Sequence, residues 1–175
     1  MLKKLDHVHL IKLFASYTDM NYVAIIMKPV AQMDLKFFLW NPEMQKMLHG
    51  PRRSRFRTYY GCLASAISYL HNNRIRNKDI KPSNILIKKD DIYITDFGTA
   101  IGFDGDKSMT KGTVRAKTTQ YQSLEVARGA KRGTASDIWS LGVTNLEMTT
   151  VLRGETLYSM QAFPLKNGTN DEYVF

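Results

Sequence analysis

Along residues 10–28 two short, largely apolar runs with β-branched and aromatic residues flank the turn-forming polar cluster Thr18-Asp19-Met20-Asn21, so this stretch predicts a β-hairpin. A break at Lys28-Pro29-Val30-Ala31 precedes Met33-Asp34-Leu35-Lys36-Phe37-Phe38-Leu39, which predicts a short helix. From 52 to 71 the apolar residues Phe56, Tyr59, Tyr60, Leu63, Ile67 and Leu70 recur three and four apart, the period of an amphipathic helix, here with a basic first turn. Two short apolar runs follow, Asn84-Ile85-Leu86-Ile87 and Ile92-Tyr93-Ile94-Thr95, and the charged turn Lys88-Lys89-Asp90-Asp91 between them predicts a second hairpin. Residues 99–122 have no period and predict a long loop, a length usually kept for function. A helix resumes near Ser136 and runs through Trp139, Leu141, Val143, Leu146 and Met148.

Composition changes this picture little. The 175 residues are 43% hydrophobic and 11% aromatic, ordinary for one globular domain. No apolar run approaches the roughly 20 residues that span a bilayer, and the first residues lack the pattern of a secretory leader, so the chain reads as soluble and intracellular, cytoplasmic or nuclear. The lone Cys62 falls within the helical pattern and reads as a small core residue, unable to form an internal disulfide.

The formal charge of +9 raises the question of an anionic partner. Its placement decides: Lys3-Lys4, Arg52 to Arg57, Arg74 to Lys81, Lys88-Lys89 and Lys131-Arg132 are separate clusters, not a stripe interleaved with aromatics. That argues against a nucleic-acid or membrane partner and fits a solvated surface with a phosphate-handling site.

The chemistry concentrates in Asn77-Lys78-Asp79-Ile80-Lys81-Pro82-Ser83-Asn84, with Asp96-Phe97-Gly98 beginning twelve residues after Asn84. An Asp, a Lys two residues on and an Asn five residues on can together orient a hydroxyl, steady a phosphate and hold a metal, and a second Asp across a hairpin can take the metal from the other side. Phosphoryl transfer needs that set, because its catalysis is mostly positioning plus stabilisation of charge on the phosphoryl oxygens.

These residues resemble the eukaryotic-type protein kinases of the serine/threonine class. Asn77-Lys78-Asp79 with Asn84 is similar to their catalytic loop, Asp96-Phe97-Gly98 to their metal-binding motif, Ser123-Leu124-Glu125 to a variant of the motif closing the activation segment, and Asp137-Ile138-Trp139-Ser140-Leu141-Gly142 to the start of their central helix. The resemblance implies an α+β, protein-kinase-like fold, represented in part: the end of the N-lobe β-sheet over 1–28, a hinge at 29–32 and a partial, mainly helical C-lobe over 33–175, with the activation segment at 96–125.

By the same resemblance ATP and Mg2+ are the expected cofactors and a protein the expected substrate. Asp79 would take or orient the hydroxyl proton, Lys81 would stabilise the phosphoryl group, Asn84 and Asp96 would hold magnesium, and Thr118 would brace Asp79 and Lys81. Tyr121 also fits the pattern. Met27 would stand as gatekeeper, and adenine would be read by the Lys28 carbonyl and the Val30 amide; Pro29, which has no N–H, lies between them. The order Asp79-Ile80-Lys81-Pro82 resembles serine/threonine rather than tyrosine kinases. His7 and His9 read as packing residues, and Ser108, Thr110 and Thr113 as loop hydroxyls open to phosphorylation.

There are departures. The family's usual His-Arg-Asp reads Asn77-Lys78-Asp79, which removes an aromatic-sized contact and replaces a bidentate guanidinium by a point charge. The sequence holds no glycine-rich loop, no strand lysine of the V-A-I-K type and no regulatory-helix glutamate, so the chain is expected to be truncated at both ends, with no helices after the central one and Glu125 buried without its arginine partner. Three alternatives therefore stand beside an active kinase: a catalytically dead pseudokinase or truncated fragment acting only as a nucleotide- or partner-binding module, a small-molecule phosphotransferase of related fold, and an incomplete product with no independent function.

Overall fold

The computed structural model describes residues 5–20, 22–96, 101–102, 119–129 and 133–166, and its architecture is α+β: three strands, three helices, four more strands and three final helices. The first hairpin forms as the pattern predicts. Strands β1 (Lys12–Thr18) and β2 (Val23–Lys28) run antiparallel, Lys12 opposite Lys28 and Thr18 opposite Val23, with an irregularity between Leu13 and Ala15. The Asp19 amide closes the turn by donating to the Tyr22 carbonyl at 2.8 Å. Among the described residues these two strands pair only with each other, and Phe14, Tyr17, Ile25 and Ile26 of the pair are exposed.

The helix expected over 33–39 starts two residues late. Met33–Asp34 is a strand, β3, and helix α1 spans Leu35–Trp40. Asp34 has extended backbone angles and its carboxylate accepts from the Phe37 amide at 2.7 Å, so it caps the helix instead of lying in it. Helix α2 (Pro42–Lys46) follows, capped by Asn41 and opened by proline; one turn and a half is too short to print a period in the sequence.

The spine is helix α3 (Gly50–Asn72), which buries Phe56, Tyr59, Leu63, Ala66, Ile67 and Leu70 on one face. Leu63, Ile67 and Leu70 are fully enclosed and join Leu35, Leu39, Ile85, Ile92, Ile94 and Met148 in one core. Each such side chain contributes about 2 kcal/mol by leaving water. Cys62 is half-buried against this core, and burial pushes its thiol pKa up. Strand β4 (Ile75–Arg76) leaves the helix; β5 (Ile85–Lys88) and β6 (Asp91–Ile94) form the second predicted hairpin, with β3 on its other edge in the order β3-β5-β6. The segment before β1 locks onto this hairpin, since Ile94 donates to the His9 carbonyl at 2.9 Å and accepts from the Ile11 amide at 3.0 Å. His7 and His9 pack there as expected, His9 Nδ1 lying 3.0 Å from the Ile92 carbonyl and His7 Nε2 3.1 Å from the Ser65 hydroxyl.

Of the stretch expected to be a structureless loop, the described parts are ordered: Ile101–Gly102 is strand β7, paired with β4, and Thr119–Tyr121 makes a 3-10 turn. Helix α4 (Leu124–Ala127) is followed by α5 (Thr134–Leu152), the predicted central helix. Two expectations are corrected here. A further helix, α6 (Leu157–Lys166), follows α5 and sets Tyr158 edge-on to Trp40 at 5.0 Å. Glu125 is exposed, so it carries no burial penalty; the enclosed carboxylates of this region are Asp137 and Glu147. Among the described residues no helix is long and apolar enough to cross a membrane.

Candidate active site

The loop between β4 and β5 is held by a side chain from far along the sequence. Asp137, in the first turn of α5, is 2% exposed; its Oδ1 accepts from the Lys78 amide at 2.9 Å, and its Oδ2 from the Asn77 amide at 2.9 Å. His71 Nε2, from the last turn of α3, lies 2.9 Å from the same Oδ2. Charged acceptors make the stronger hydrogen bonds, so one carboxylate fastens α3, α5 and the loop together. The fastening holds Lys78 at φ 68, a left-handed conformation that side-chain-bearing residues seldom adopt. Arg76, just before the loop, is fully buried; burial lowers its pKa and the nearby Asp137 charge opposes that.

On this support Asp79, Lys81 and Asn84 close on one another. The Lys81 ammonium donates to both carboxylate oxygens of Asp79, at 2.9 and 2.8 Å. Asn84 Nδ2 donates to the Asp79 carbonyl and to its Oδ2, each at 2.9 Å, and the Asp79 amide donates to Asn77 Oδ1 at 3.1 Å. The local cause is the 3-10 turn Pro82–Asn84, which folds Asn84 back so that its amide reaches the Lys81 carbonyl at 2.9 Å. The Thr95 amide donates to the Asn84 carbonyl at 2.9 Å, which sets the next residue, the exposed Asp96, beside Asn84 with φ 57. Thr95 Oγ1 in turn lies 3.8 Å from the sulfur of Met27 on β2, so the first hairpin meets the site there.

The donor set fits a hard divalent cation. Both Nδ2 hydrogens of Asn84 are spent on Asp79, which leaves its Oδ1 as an oxygen donor, and Asp96 is the residue after Thr95, whose amide bonds the Asn84 carbonyl. Among the described residues no three His, Cys, Asp or Glu side chains gather to hold a metal alone, so such a cation would need oxygens from its ligand as well.

Two of the sequence-derived adenine residues lie at and just after the end of β2. Lys28 ends β2 with its ammonium 4.8 Å from the centre of the Phe14 ring. Val30 is 81% exposed and lines, with Lys12, Lys28 and Tyr93, an open cleft of about 660 Å³ whose walls include none of Asp79, Lys81, Asn84 or Asp96. Thr118, Phe97, Gly98, Ser108, Thr110 and Thr113 lie outside the described residues.

The sequence reading missed the anchoring roles of Asp137 and His71, and also Glu147. That side chain is 1% exposed; its Oε1 accepts from the Tyr121 hydroxyl at 2.8 Å and from Gln120 Nε2 at 3.0 Å, while Oε2 has no partner among the described residues. Burial pushes its carboxyl pKa up against the opposing pull of the Tyr121 hydrogen bond, and burial together with the Glu147 charge pushes the Tyr121 hydroxyl up. A signal was there: at helical spacing Asp137 shares a face with Leu141, Thr144 and Met148, and a carboxylate on a buried face requires donors.

The sequence model of the family described as "Protein kinase domain" matches residues 1–166. The chain is 30% identical to the serine/threonine-protein kinase AtPK1/AtPK6 of Arabidopsis thaliana, over 86% of this chain and 30% of that protein. It is 32% identical to the human cAMP-dependent protein kinase catalytic subunit PRKX, over 85% of this chain and 38% of that one. It thus spans about a third of the length of these curated relatives. Among solved structures, a chain of the yeast RNA Pol II CTD kinase CTDK-1 complex superposes with a TM-score of 0.70 at 28% identity, covering 86% of this chain and 47% of that one.

Proposed function

We propose that this chain, which belongs to the protein kinase domain family, transfers the γ-phosphoryl group of ATP to serine or threonine hydroxyls of proteins. The observation that carries the proposal is the hydrogen-bonded group of Asp79, Lys81 and Asn84, with Asp96 one residue beyond the Thr95–Asn84 hydrogen bond.

In this reading Asp79 accepts the hydrogen of the substrate hydroxyl as that oxygen attacks the γ-phosphorus; the bond from phosphorus to the β–γ bridging oxygen breaks, and ADP leaves with its electron pair. Lys81, held beside Asp79, presents a cation to the oxygens of the phosphoryl group in transit. Asn84 Oδ1 and the Asp96 carboxylate would hold magnesium, which when bound neutralises charge on the phosphates. Asp137 keeps the loop in place and is a positioning residue. Thr118 would brace Asp79 and Lys81, and the Lys28 carbonyl and Val30 amide would read adenine beside Met27, as family resemblance suggests. The division into 1–28, a hinge at 29–32 and 33–175, with the activation segment at 96–125, belongs to the same reading.

Serine/threonine specificity is supported by the Asp79-Ile80-Lys81-Pro82 order and by relatives that are serine/threonine kinases by name. Its test is phosphoamino-acid analysis of a basic protein incubated with the chain, labelled ATP and Mg2+. Label on serine or threonine is expected; label on tyrosine alone overturns the specificity.

A further inference from the structure

Between α1, α2, the start of α3 and the β5–β6 turn lies a groove of about 510 Å³ that shares no residue with the group around Asp79. Phe38, Met44, Met47 and Phe56 line its apolar floor, Phe38 stacked on Phe56 at 5.3 Å and Met47 left 44% exposed. Arg52, Arg55 and Lys89 stand on its rim against the single carboxylate of Asp90. None of these three cations forms an ion pair among the described residues. The first turn of α3 holds no acidic residue, so Arg52 sits where the helix dipole disfavours a positive charge and nothing local offsets it.

We infer that this groove docks an acidic segment of a partner protein, with apolar side chains on the floor and carboxylates on Arg52, Arg55 and Lys89. Charge complementarity selects this occupant, since a rim of three cations with one anion repels a basic segment and steers an acidic one. Guanidinium groups grip carboxylates through paired N–H donors, and methionine side chains repack around differently shaped anchors. The size lies within the usual range of ligand pockets, enough to seat apolar anchors. The inference stands apart from the phosphoryl-transfer reading, because binding is measured without ATP.

The probe is a short fluorescein-labelled peptide of alternating Leu/Phe and Glu/Asp residues, compared by anisotropy with the same peptide carrying Lys in place of the acids. The acidic peptide should bind and the lysine peptide should not. Arg52→Glu with Arg55→Glu should weaken binding about tenfold or more, with added salt weakening it further. Met47→Asp, at an exposed position that folding tolerates, should weaken it too, whereas Arg57→Glu, on the same helix but outside the groove, should change it by less than about twofold. Failure of the acidic peptide to bind, equal binding of the lysine peptide, or an equal loss in Arg57→Glu overturns the inference. So does displacement of the peptide by vesicles of anionic lipid, or a self-associated dimer that hides the groove.

Discussion

Lys78 and Asp137 are 59 residues apart in the chain, and a 2.9 Å hydrogen bond from the amide of one to the buried carboxylate of the other holds the loop that presents Asp79. The same carboxylate serves Asn77 and His71, so a single side chain decides where that loop sits.

Replacing it should therefore cost both stability and geometry. Asp137→Ala leaves the buried Asn77 amide and the half-buried Lys78 amide without their acceptor and should destabilise the fold by about 3 kcal/mol, read as a lowered urea midpoint. Asp137→Asn, which keeps one carbonyl oxygen, should lose less.

The core prediction concerns the spine. Leu63 is completely buried in α3, and Leu63→Ala should cost about 3 kcal/mol through lost burial and the cavity left behind, measured by the same denaturation. The exposed Arg57 on the same helix should tolerate alanine with a change of less than about 0.5 kcal/mol.

Glu147 predicts a pH effect. Its folded-state pKa is raised by burial, so the folded state binds a proton that the unfolded state releases more readily. The stability tied to that proton is fully present below the ordinary glutamate range and is lost as pH rises through the higher folded value. Glu147→Gln cannot titrate. The melting temperature of the unmodified chain should thus rise relative to that of Glu147→Gln as pH falls from neutrality toward the glutamate range, and a constant difference would contradict the assignment.

Asn84 is predicted to matter through its oxygen. Asn84→Ala removes both the Oδ1 donor and the two bonds that fasten Asp79, so half-maximal label transfer should require more magnesium as well as run more slowly. A lower maximal rate at unchanged magnesium demand would leave Asn84 a positioning role only.

What the sequence disclosed follows physical length. The hairpin of β1 and β2, the spine α3 and the hairpin of β5 and β6 are long enough for period and turn chemistry to show. Strands β4 and β7 have two residues each and exist through pairing with one another, which no local pattern records. Asp34 could be read as a helix residue or as its cap, and only the extended backbone decides. Asp79, Lys81 and Asn84 were legible as a site because one tight turn brings them together whatever the rest of the chain does. Asp137 and Glu147 act across 59 and 26 residues, on partners that only tertiary packing supplies. Lys28 and Val30 were read from the hinge resemblance, and they line a cleft with Lys12 and Tyr93.

The most direct measurement is the initial rate of labelled γ-phosphoryl transfer from ATP to a basic protein in the presence of Mg2+, comparing the chain with Asp79→Asn at matched melting temperatures. The account predicts transfer by the chain and a loss of about a hundredfold or more in the variant. Equal rates in the two, or no transfer from folded chain, would contradict it.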